Sequence, residues 1–142
     1  MRFKTYIEFA DGYKIDRSIL PLLRKGIRFI FDSHDVEYTS ILIVFMSDAS
    51  LLQINKDYLK HDYYTDIITF SYEEEGEPVE GELLISLERV LDNAQMLHID
   101  PSQEIMRVVF HGCLHLVGYN DATDAEKEEM TKKENEVLAH VS

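Results

Sequence analysis

The chain has 142 residues, 45% of them hydrophobic, which is enough for one domain with a real core and too few to require a second. Its formal net charge of −13 argues against a general grip on DNA or any other polyanion, because non-specific binding of that kind rests on Lys and Arg neutralising phosphates. No apolar run reaches membrane-spanning length, Met1 to Tyr6 lacks a signal-peptide pattern, and the single cysteine, Cys113, excludes an internal disulfide, so a cytoplasmic protein with no membrane partner is expected.

Lys4 to Phe9 reads as a short strand, followed by an Asp11-Gly12 turn. From Arg17 to Phe31 the apolar residues Ile19, Leu20, Leu23, Ile27 and Ile30 recur at helical spacing. Arg17, Arg24 and Arg28 form a polar stripe on that helix, either a solvated face or a binding surface, and with Lys25 they make a local basic strip. Thr39 to Met46 is β-branched and apolar, as in a strand covered on both faces. Ser47 or Asp48 can cap a short helix carrying Leu51, Leu52, Ile54 and Asn55. Asp66 to Tyr72 and Gly81 to Ile85 read as two strands joined by the acidic loop Glu73 to Glu80, short enough to make them antiparallel. Ser86 can cap the next helix, which runs to about His98 with Val90, Leu91, Ala94 and Leu97 inward. Asp100, Pro101 and Gln103 supply a cap, a first-turn proline and a capping-box partner for a following apolar helix. A last helix spans about Thr123 to Ala139. The order β-α-β-α-β-β-α-α-α predicts a single α/β (α+β) domain over residues 1–142, a small mixed four-stranded sheet packed with about five helices.

The chemistry concentrates between His111 and Asp121. His111 and His115 are four apart, so on a helix both imidazoles share one face and can point at one ion. Such a pair is common by chance, but the surrounding Ile105, Met106, Val108, Val109, Phe110, Leu114, Leu116 and Val117 describe a buried helix in which two histidines need partners, and one metal satisfies both. Gly118 permits a left-handed turn after the helix and can bring Asp121 back to the pair, although Asp121 also fits an ordinary solvated turn. Three protein ligands leave a position open, the mark of a catalytic rather than a structural zinc site. Cys113 lies about 200° around the helix from the histidines and reads as a small core residue.

These residues resemble the YbeY family of bacterial ribosomal-RNA maturation factors, whose signature is His-Gly-x-Leu-His-x-x-Gly-Tyr-Asp-His. His111, Gly112, Leu114, His115, Gly118 and Tyr119 stand in its places, with Asn120 for the usual aspartate and Asp121 for the third histidine. A second block, resembling Asn-x-x-Tyr-Arg-x-x-Asp-x-Pro-Thr-Asp-Val-Leu-Ser-Phe, is matched by Asn55, Tyr58, Asp62, Thr65, Asp66 and Phe70, with Leu59 at the arginine position. Gly81 to Ser86 resemble a third block, Gly-Asp-Ile-x-Ile-Ser. The spacing also resembles that of the metzincin proteases, but Gly112 stands where their catalytic glutamate would be, which argues against peptidase chemistry.

The resemblance implies a metal-dependent endoribonuclease with a metzincin-like metal-site helix, one zinc ion held by His111, His115 and Asp121, and single-stranded or ribosomal RNA as substrate. A carboxylate in place of the third imidazole makes the ion a weaker Lewis acid. With Leu59 replacing the family arginine, Lys60 or His61 is the candidate for charge stabilisation or proton donation beside the scissile phosphate, and His115 counts as catalytic with the ion it holds. Glu104, two turns before His111, either orients a ligand or is an exposed first-turn acid. A general base is not identifiable. The rival expectation is a metal-stabilised factor that binds ribosomal particles or a ribosomal protein with little nuclease activity, since an acidic surface suits a basic protein.

Overall fold

The computed structural model describes residues 4–142. Four strands, β1 (Lys4–Phe9), β2 (Tyr38–Met46), β3 (Ile67–Ser71) and β4 (Val79–Ser86), form one sheet in the order β1-β2-β4-β3. β1 and β4 both run parallel to β2, and β3 runs antiparallel to β4 as the hairpin reading expects. Five α-helices accompany them: α1 (Leu20–Ser33), α2 (Asp48–Leu59), α3 (Leu87–Leu97), α4 (Pro101–Leu116) and α5 (Asp124–Val141). The mixed sheet and five-helix composition match the sequence expectation, and Arg17–Ile19 adds a single 3₁₀ turn ahead of α1. Among the described residues no helix is long and apolar enough to cross a membrane.

Helices α2 to α5 each begin on a side-chain cap. Ser47 caps α2 through Ser50 N, Ser86 caps α3 through Arg89 N, and Asp100 caps α4 through Ser102 N with Pro101 in the first turn. The reciprocal capping box expected of Gln103 forms instead at α5, between Thr123 and Glu126. The main core lies between one face of the sheet (Ile41, Ile43, Phe45, Leu83, Ile85) and helices α1, α4 and α5, with Cys113 fully buried within it. The other face carries a smaller cluster, in which Leu51 of α2 packs on Met46, Ile68 and Leu84.

Two packing expectations are corrected. β2 is not covered evenly, because Leu42 and Val44, on the face away from the main core, are only half-buried. On α3, Val90 and Ala94 point inward, but Leu91 is 39% and Leu97 58% exposed. The buried stripe of that helix is Leu87, Val90 and Ala94, spaced three and four apart, and Leu91 and Leu97 fall on neighbouring columns.

α4 crosses the β3–β4 side of the sheet and carries the histidines. At Gly112 a Cβ would stand 2.8 Å from Ile67 Cδ1 and 2.8 Å from Leu83 Cδ2. The absent side chain therefore lets α4 press directly on the hairpin, and any larger residue at this position, a glutamate included, would have to displace the ends of Ile67 and Leu83.

Candidate metal centre

The end of α4 is closed by a Schellman motif. Gly118, at φ +113°, donates to His115 O at 3.0 Å, and Tyr119 N donates to Leu114 O at 3.0 Å. This reversal turns the Tyr119 carbonyl back to accept from His115 Nδ1 at 2.9 Å, and two residues later it delivers the Asp121 carboxylate. Tyr119 is fixed in turn by a 2.8 Å hydrogen bond between its hydroxyl and His34 Nε2, while His34 Nδ1 donates to Ile30 O at 2.7 Å.

His111 is held from the other direction. Its Nδ1 lies 2.6 Å from Glu134 Oε2 on α5, and Glu134 Oε1 accepts from Arg107 at 3.0 Å. Arg107 also makes a bidentate pair with Glu104. Glu104 is fully buried and Glu134 is 2% exposed, so this chain of charges runs through the interior and leaves no buried side-chain polar atom unpartnered among the described residues. The exposed-acid alternative for Glu104 is thereby corrected: it anchors the arginine that orients Glu134 against His111.

His111, His115 and Asp121 come together as the spacing predicts. His111 Nε2 and His115 Nε2 are 3.1 Å apart, and Asp121 Oδ2 is 3.1 Å from the first and 3.3 Å from the second. A carbonyl can only accept, so His115 Nδ1 carries its proton, and the Glu134 carboxylate requires the same of His111. Each neutral imidazole then has a bare Nε2. Three lone-pair atoms face one point with no proton between them, an arrangement that repels itself and that a cation resolves. The set fits a metal ion, and these residues could hold one. Burial works to lower the His111 pKa, but the hydrogen bond to Glu134 and the charges of Glu134, Asp121 and Asp66 outweigh it and leave it raised.

The three ligands open onto a cleft of about 550 Å³ between α4 and β3. The cleft is also lined by Asn55, Leu59, His61, Tyr63, Asp66 and the outer edge of β3. Of the two cationic candidates, His61 lines it and Lys60 does not. Lys60 takes a left-handed conformation at the end of α2, with its ammonium 3.3 Å from Asp57 O. Asp66 is half-buried there, and burial raises its carboxyl pKa against the opposing charge of His111.

Glu134, Arg107 and Asp66 were not recognised from sequence as site residues. For Glu134 a signal exists: it falls on the inward stripe of α5 with Met130, Val137, Leu138 and Val141, and an acid on an apolar stripe demands a buried partner. Arg107 stands one turn before His111 on the same face.

A family model described as endoribonuclease YbeY matches residues 7–142. A protein of that name from Cytophaga hutchinsonii is 52% identical over 139 residues, covering 98% of this chain and 97% of its own. Its counterpart in Parabacteroides distasonis is 42% identical over 135 residues, covering 92% and 94%. A Thermotoga maritima protein of known solution structure has a TM-score of 0.68 at 25% identity, across 96% of this chain and 88% of its own. The chain belongs to the YbeY endoribonuclease family.

Proposed function

We propose that this protein is a zinc-dependent endoribonuclease specific for single-stranded RNA, working in the cytoplasm on ribosomal RNA during processing, maturation and ribosome quality control. Ribosomal particles or a ribosomal protein are its proposed partners. The observation that carries the reading is the convergence of His111 Nε2, His115 Nε2 and Asp121 Oδ2 on one point at the floor of an open cleft. Three nitrogen and oxygen ligands with one side open suit zinc in a hydrolytic role. Bound there, zinc would lower the pKa of a water and polarise a phosphoryl oxygen.

The chain's own residues supply the rest. Glu134 and the Tyr119 carbonyl hold the two imidazoles in the tautomer that presents Nε2. His61 is better placed than Lys60 to offset charge on the scissile phosphate, since it lines the cleft. Gly112 offers no general base. Asp66, whose carboxyl shares the cleft with the ligands, is the candidate to accept a proton there.

The test pairs metal content with cleavage, using protein purified without chelator and a single-stranded RNA. Wild type is expected to carry one equivalent of zinc and to cleave, whereas His115→Ala and Asp121→Ala lose both. Stoichiometric zinc without cleavage would support the ribosome-binding factor instead, and cleavage that survives chelation and His115→Ala would end the metal reading.

A further inference from the structure

The wall of the cleft opposite α4 is built differently from the metal side. β3 is an edge strand. Ser86 N donates to Asp66 O and Tyr72 N donates to Glu80 O, so the even-numbered positions of this strand turn their backbone groups towards β4. Ile67, Thr69 and Ser71 therefore direct their N–H groups away from the sheet, and all three line the cleft. Along a strand such outward donors recur about every 6.8 Å, twice the residue rise. That row of neutral donors is notable because no Lys or Arg lines the cleft among the described residues.

At the end of this edge stands Tyr63. Its ring stacks on His61 with centroids 5.0 Å apart and 20° between planes, and its hydroxyl lies 2.8 Å from His61 Nδ1. Its carbonyl accepts from Nδ2 of Asn55, a side chain only 1% exposed, at 2.8 Å. The backbone and one face of the ring are thus anchored, while the residue as a whole is 56% exposed. Tyr64 beside it does not share this role, because Arg89 already sits over its ring at 5.0 Å.

We infer that an unpaired base of single-stranded RNA stacks on the outer face of Tyr63, with the adjoining phosphates lying along the free edge of β3 and held by its neutral N–H groups. This rests on the RNA-cleavage reading for its ligand class. A pre-anchored ring loses little freedom when a base covers it, and every base offers a face to stack. A paired base is already covered above and below, so the platform selects single strands. The edge could also pair with an extended peptide, but that would leave the displayed ring without a flat partner, and Ile67 O already faces the Thr65 hydroxyl at 3.4 Å.

The experiment uses zinc-loaded protein and one fluorescent single-stranded RNA, intact or carrying a single abasic site at successive positions. Kd is read by stopped-flow anisotropy before turnover, and cleavage is followed afterwards. One abasic position is expected to weaken wild-type binding about tenfold. Tyr63→Ala should lose the same about tenfold on intact RNA, keep its zinc, and lose nothing further at that abasic position. Tyr63→Phe, which keeps the ring, should bind close to wild type. The slope of log Kd against log salt should stay at or below about 0.7, the share of the one phosphate that meets the metal, with nothing added by the phosphates on the β3 edge. Unchanged binding by Tyr63→Ala, or losses that multiply with the abasic site, would overturn the platform; so would a lysine-rich peptide that competes for wild type but not for Tyr63→Ala while RNA binding is the same in both. Tyr63-dependent binding without cleavage would leave the platform standing and reject the nuclease, whereas cleavage with Tyr63-independent binding would do the reverse.

Discussion

The two walls of the cleft are held by opposite means. On the α4 side both histidine ligands are backed by a second group: the buried Glu134 behind His111 leads to Arg107 and Glu104, and the Tyr119 carbonyl behind His115 leads to His34. On the α2–β3 side the lining runs from half-buried on β3 to exposed at His61 and Tyr63, carries neither Lys nor Arg among the described residues, and has its Tyr63 end held by the buried amide of Asn55. The difference matches two tasks. A metal ligand must keep its geometry whether or not substrate is present, and buried charge-assisted hydrogen bonds enforce that. A surface that receives an extended chain needs accessible groups and can be weaker in each contact.

The metal wall depends most on Glu134. Glu134→Ala leaves the half-buried Arg107 with its Glu104 pair alone and removes the acceptor of His111 Nδ1. The expected costs are about 1–3 kcal/mol of folding stability and roughly 10- to 100-fold in zinc affinity. Glu134→Gln keeps one acceptor oxygen, which can serve His111 or Arg107 but not both, and should fall between wild type and alanine. Urea unfolding in the presence of chelator measures the first effect and competition against a chromogenic zinc chelator the second. A variant with normal stability and normal zinc affinity would mean that the buried network does not support the site.

A smaller effect separates the walls from each other. Gly112→Ala forces a methyl group against Ile67 and Leu83, both on the hairpin, and the contacting atoms are the ends of side chains that can shift. The expected cost is about 1–3 kcal/mol with the zinc stoichiometry intact, because the atoms the methyl group meets first belong to the hairpin and not to the ligands. If α4 and β3 act as independent walls, KM for single-stranded RNA rises and metal binding does not change. Loss of zinc together with stability would show that the walls cannot be moved apart separately.

Much of the metal wall was legible in the sequence because its logic is local. His111 and His115 share a helix face, Gly118 sits two residues past the helix end, and the Schellman geometry that follows leaves Asp121 little choice of direction. The network behind it was not legible. Glu134 is 23 residues from His111, and its pairing depends on how α5 lies across α4. The same limit explains Leu91 and Leu97, since a helical period identifies a stripe but not which adjoining column meets another element. Lys60 and His61 are neighbours in sequence, yet the left-handed turn at Lys60 places one on the cleft and the other beside Asp57.

The subtlest change addresses Leu59, which lines the cleft at 39% exposure where the resemblance expects arginine. Leu59→Arg would convert a neutral wall into one with a single planar cation. Because the position is exposed, stability should move by no more than about 0.5 kcal/mol. RNA affinity should become more salt-dependent by about 0.7 in the slope of log Kd against log salt, the signature of one newly neutralised phosphate. If the guanidinium reaches only bound phosphate, KM falls and kcat stays the same. If it reaches the charge that develops on the scissile group, kcat rises as well, and His61→Ala should then cost less in the Leu59→Arg background than in wild type. No change in either constant would mean that the neutral wall already does all that this position can contribute, and that the arginine of the family pattern serves a geometry this chain does not use.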